Sequence, residues 1–215
     1  MAIKLSPLSH FMMAPPGVHM SSSSLRSSLS HSTRNHSPRV SFEDQIEIDP
    51  LLCYSQYEKA PGYANQLLWD LREHPSTARN VTTVQFPLSN AQLVQPATLP
   101  YTSSLDIVCD IFLPSWVIQI RRPGWHITSA DVLNDIHTFL YQPITRQEWD
   151  GLSEKKKAYI TRAYETRCSQ AYDREGTRKA GVLRIDTLMN HTWFAGLSVS
   201  LDRRHTCILS LRRPR

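Results

Sequence analysis

Residues 128–173 read TSADVLNDIHTFLYQPITRQEWDGLSEKKKAYITRAYETRCSQAYD, and this stretch decides the fold. Thr128-Ser129-Ala130-Asp131 sets a hydroxyl three residues before a carboxylate, the pairing that satisfies free backbone N–H groups at a helix start. Val132, Leu133, Ile136, Phe139 and Leu140 follow at helical spacing. Pro143 stops the pattern, because the residue before a proline is driven out of the helical region. Thr145 and Glu148 repeat the start signal; Trp149 and Leu152 share a face of a short helix closed by Gly151. A third helix begins near Ser153. Its pairs Tyr159/Ile160, Ala163/Tyr164, Arg167/Cys168 and Ala171/Tyr172 recur every four residues, and Gly176 is its expected stop. Lys157, Thr161, Arg162, Glu165, Thr166 and Gln170 fall off that stripe.

The flanking sequence supplies strands for this block to cover. Leu105–Ile111 and Trp116–Arg121 alternate in period two around Pro114-Ser115 and predict an antiparallel hairpin. A second hairpin is expected from Trp193–Leu201 and Thr206–Leu211. In it Trp193, Ala195, Leu197, Val199 and Leu201 share one face, and Phe194, Gly196, Ser198 and Ser200 the other. Leu67–Leu71 and Val81–Phe86 read as further strands, 90–100 as an extended connection, and Val182–Asp186 as a short strand or connector. The class is therefore α+β: an antiparallel sheet of about five to six strands with two to three helices on one face, all within residues 42–215.

Residues 1–41 read as a disordered tail. The first forty hold eleven serines, four prolines and four histidines, a composition that cannot bury enough apolar surface to fold. They carry four of the chain's 24 basic residues and none of its 19 acidic ones, which leaves 20 against 19 elsewhere. The net charge of +5 and the pI of 9.1 thus belong to the tail, and no nucleic-acid partner is expected for the domain. A basic, serine-rich, acid-free start is also the composition of a mitochondrial transit segment, and Ser37 and Ser41 stand where phosphate would reverse the local charge. Cys53, Cys109, Cys168 and Cys207 form no C-x-x-C pair, and the sequence lacks a secretory signal. Reduced thiols in the cytoplasm or nucleus are expected, with mitochondria the alternative. No run of about 18 apolar residues predicts a membrane span. The sequence gives no sign of the oligomeric state.

A family pattern emerges from the order of several short motifs. These are Leu68-Trp69-Asp70; Pro96-Ala97-Thr98 ahead of a hairpin; Thr128 with Asp131-Val132-Leu133; Ala163-Tyr164 with Arg167; Arg184-Ile185-Asp186; and Phe194-Ala195-Gly196-Leu197. The series resembles a domain of unknown function found in mushroom-forming fungi, over roughly Asp49 to Leu211. The resemblance implies a fungal intracellular protein with one such domain behind a variable tail, and it carries over no catalytic residue.

No glycine-rich phosphate loop, H-E-x-x-H or G-x-S-x-G is present, and no ligands are spaced for zinc. No cofactor or metal is expected. The remaining candidates are polar residues set inside apolar runs: Asp70, Asp186, Arg167 and His126, with His191 beside them. Residues of this kind form structural ion pairs far more often than catalytic sites. Arg167, a cation on an apolar stripe, predicts a carboxylate partner, Asp70 or Asp186. The functional expectation is a non-enzymatic intracellular protein-interaction module; the alternative is an enzyme built around Asp70, Asp186 and Arg167.

Overall fold

A computed structural model describes residues 46–55, 67–81 and 86–214. The tail expected over 1–41 lies outside the described residues, as does 82–85, most of the strand expected over 81–86. The strands are β1 (Glu47–Ile48), β2 (Leu67–Leu68), β3 (Arg79–Asn80), β4 (Thr98–Leu99), β5 (Ser104–Val108), β6 (Ile118–Arg121), β7 (Trp193–Val199) and β8 (Thr206–Arg212). The helices are α1 (Asn90–Leu93), α2 (Ser129–Leu140), α3 (Arg146–Asp150), α4 (Glu154–Gln170) and α5 (Arg174–Lys179). Two 3-10 turns, Pro75–Thr77 and Arg184–Leu188, complete the described elements.

The main sheet has four strands in the order β6-β5-β8-β7. Both expected hairpins form: β5 pairs antiparallel with β6, and β7 with β8. Their junction, however, is parallel, with Asp106 opposite Thr206 and Val108 opposite Ile208. The single antiparallel sheet of five to six strands is therefore corrected to a mixed four-stranded sheet plus two small antiparallel pairs, β1-β4 and β2-β3. The small pairs stay small because prolines at 50, 75, 96 and 100 interrupt those stretches and cannot donate to a ladder.

These irregular stretches instead cap the edge of β7. Leu197 N–H donates to Leu52 O and Tyr54 N–H to Leu197 O, both at 2.7 Å; Phe194 N–H donates to Trp69 O at 3.0 Å and Leu71 N–H to Thr192 O at 2.8 Å. Covering an edge this way removes the unpaired groups that invite aggregation. The approach is so close that Gly196, at φ +126°, has Tyr54 Cα only 2.4 Å from where a Cβ would stand. A register shift between Phe194 and Gly196 also breaks the expected alternation. Phe194 and Leu197 are both fully buried, because a bulge moves the later residues to the opposite phase.

The core sits between this sheet and α2. Leu105, Ile107, Ile118 and Ile120 meet Val132, Leu133, Ile136 and Leu140, and Trp69 packs on Phe194 at a ring separation of 6.1 Å. Burying each such side chain contributes about 1.5–3 kcal/mol. α2 opens with the expected capping box, Thr128 with Asp131, and α3 with Thr145 and Glu148. α4 is capped by Ser153 and buries only Ile160 and Cys168. Its main packing is on the 184–188 turn and α5, while α2 packs on β6, so the helices do not form one layer on the sheet. Gly176 does not end α4; it lies inside α5, where its N–H donates to the cap residue Asp173 at 2.8 Å. Within the connection expected to be extended, Ser89 and Gln92 form a capping box that starts α1. Val182–Asp186 runs into the 184–188 turn and is not a strand.

Candidate functional site

α4 carries two working faces. Residues 163 and 167 lie four apart and so share a side, as do 162, 166 and 170. The second row is the one that falls off the apolar stripe. Together they form one wall of a cleft of about 800 Å³. The floor includes Ile185, Met189 and Thr192, and the far wall comes from Arg72, Glu73 and Tyr141.

Arg167 is held from beneath. Its Nε and Nη2 donate to the two oxygens of Asp186, each at 2.8 Å, and Nη2 also donates to Gly181 O at 2.8 Å. Asp186 further accepts Leu183 N–H at 2.9 Å. The turn that presents Asp186 is fixed by its own backbone: Arg184 N–H donates to Gln142 O at 2.9 Å, and Gly181 at φ +70° lets the chain reverse after α5. The side chain of Asp186 is 3% exposed and that of Arg167 17%. Of the two carboxylates expected to pair with Arg167, the partner is Asp186. Burial works against the Arg167 charge, but the bonded Asp186 more than offsets it and holds the guanidinium above its usual range.

The opposite wall repeats the arrangement. Asp70 accepts Arg72 Nη2 at 2.6 Å and Nε at 3.1 Å, and also Arg72 N–H at 3.0 Å. These bonds outweigh burial, which works the other way, and raise the Arg72 guanidinium above its usual range. The Tyr141 hydroxyl donates to Arg72 O, and its ring stacks on His137 at 4.3 Å. Burial raises the Tyr141 phenol, partly countered by Arg167.

Both braced arginines keep a free edge, since neither Nη1 takes part in a hydrogen bond among the described residues. The guanidinium of Arg162 has no ion-pair or hydrogen-bond partner there at all. Thr192, 3% exposed, lines the same cleft with its hydroxyl oxygen buried and unbonded. Met189, which also lines the cleft, holds a positive φ of 52°, a conformation that non-glycine residues adopt only where the surroundings impose it.

The remaining candidates lie elsewhere. His126 is exposed beside Tyr101, rings 5.5 Å apart. His191 accepts from Arg213 Nε at 3.4 Å, with its Nδ1 buried and unbonded. Neither lines the cleft. No three His, Cys, Asp or Glu side chains are grouped to hold a metal among the described residues. No helix there is long and apolar enough to cross a membrane.

Sequence reasoning found Arg167 and Asp186 but passed over Arg72, Arg162 and Tyr141. Arg162, Thr166 and Gln170 did leave a signal, a polar row at spacing four on a helix whose other face is weakly apolar. No curated protein and no solved structure matches the chain. A family model does match over residues 67–206, a span that contains every cleft residue named above and most of the 215-residue chain. The chain belongs to that family, a family of unknown function (DUF6699).

Proposed function

We propose that this protein is a non-enzymatic interaction module that holds a segment of a partner polypeptide in the cleft between α4 and residues 72–73. The observation that carries this reading is that Asp186, which lines the cleft, and Asp70, which braces Arg72, are both committed to its arginines. Asp186 gives its oxygens to Arg167 and Leu183 N–H, and Asp70 to Arg72 and its backbone N–H. An ionised carboxylate has about four acceptor positions, so three or more donors leave little to take a substrate proton. These groups hold arginines in place; they are not aimed at a reacting atom. A broad, open cleft walled by α4 from Tyr159 to Gln170 suits an extended chain better than a small molecule, which sites of this size normally enclose.

The enzyme alternative around Asp70, Asp186 and Arg167 draws only on their nearness to the cleft. The four free thiols and the resemblance to a domain of mushroom-forming fungi support a fungal protein of the cytoplasm or nucleus. The test is a photo-crosslinking amino acid placed at Thr166, in the cleft, or at Asp202, exposed and outside it, in the full chain within its native cell. A polypeptide adduct specific to position 166 is expected. Adducts equal at both positions would contradict the reading. Turnover of a small molecule, lost in a folded Asp186→Asn variant, would favour the enzyme.

A further inference from the structure

We propose that the segment held in this cleft is acidic; this rests on reading the cleft as a polypeptide site. Three guanidiniums, of Arg72, Arg162 and Arg167, line it against two carboxylates, Glu73 and Asp186, of which Asp186 is buried and committed. The N–H groups of Arg162 and the Nη1 groups of the other two lack acceptors among the described residues. Bracing by Asp70 and Asp186 fixes two of the guanidiniums in orientation, so a ligand meets them with little loss of side-chain freedom. Preorganised, charge-assisted hydrogen bonds of this kind are the stronger class.

Arg162 and Arg167 lie five residues apart on the two cleft-lining rows of α4, so one chain lying along the helix can meet both. The apolar floor of Ile185 and Met189 suits apolar residues between the acidic ones, and the buried, unbonded Thr192 hydroxyl is a further polar group on that floor. A nucleic acid shares the negative charge but fits less well. Of the tyrosines that line the cleft, Tyr141 is already engaged with Arg72 O and the His137 ring. Only Tyr159, about half exposed, stays available to stack on a base.

The test is fluorescence anisotropy on the full chain with three probes. They are a labelled ten-residue peptide of alternating Glu and Leu, the same peptide with Gln for Glu, and a single-stranded oligonucleotide of equal length. The Glu peptide is expected to bind, with affinity falling as salt rises, and the Gln peptide to bind at least about tenfold more weakly. Arg162→Glu, an exposed change that leaves the braced pairs intact, should weaken the Glu peptide about tenfold or more. Lys155→Glu, of equal charge change on the same helix but outside the cleft, should not. Equal binding of the Glu and Gln peptides, equal loss in both variants, or tighter binding of the oligonucleotide overturns the proposal. A crosslink specific to position 166 that survives Arg162→Glu would overturn the acidic ligand while leaving the polypeptide site standing. Absence of that crosslink would remove the site itself.

Discussion

Asp186 and Arg167 show how much one buried pair decides locally. Breaking such a pair leaves a charge without a partner, which costs about 3–5 kcal/mol, whereas replacing both members with apolar residues costs less. Asp186→Leu is therefore expected to lower stability by about that amount in urea denaturation, and Arg167→Met combined with Asp186→Leu to recover part of it. Gly196 is the second decisive residue. A Cβ there would overlap Tyr54 Cα at 2.4 Å and hold an L side chain at φ +126°. Gly196→Ala should cost about 3 kcal/mol or more, since the strain of the backbone adds to a clash that only main-chain movement relieves. His137 gives a pH dependence. Burial, then the neighbouring His74, lowers its pKa below 6.5. Below that value the unfolded chain takes up the proton first, so stability falls as pH drops from about 7 through 6.5 toward the folded-state pKa. Thermal melts at pH 5 and 7 should show that drop, and His137→Phe, which keeps the stack on Tyr141, should lessen it.

At the scale of elements, what was legible in the sequence was what is local. The capping boxes of Thr128 with Asp131 and Thr145 with Glu148 need only four residues each, and both appear as read. Thr128→Ala is expected to cost about 1 kcal/mol, measured by the same denaturation. The two hairpins were equally plain, because period-two alternation flanks a short turn in each. The parallel pairing of β5 with β8 was not, since it joins residues a hundred positions apart and leaves no local trace. The bulge at Phe194 and Gly196 misled the face assignment because an extra residue inverts every later side chain. α1 was missed although Ser89 and Gln92 carried its signal, as the prolines at 96 and 100 argued for an extended chain. For the site, Arg167 and Asp186 stood out as charges in apolar runs. Arg162, Thr166 and Gln170 did not, because a polar row on a helix looks the same facing solvent or a cleft.

For the molecule as a whole, the edge of β7 is capped and the core lies under α2, while the cleft of about 800 Å³ beside α4 stays open. The thiols report on this closure. Cys207 is fully buried, and burial, then Cys53, pushes its thiol up to about 12. At pH 8 a thiol reagent should modify half-buried Cys53 first and reach Cys207 only through global opening; mass spectrometry of the labelled chain reads the order. An amide NMR titration of the full chain with the alternating Glu–Leu peptide reads occupancy of the cleft residue by residue. Saturable shifts confined to residues 72–73, 159–170 and 185–192 are the predicted result. Shifts centred elsewhere, or none at peptide excess, would contradict it.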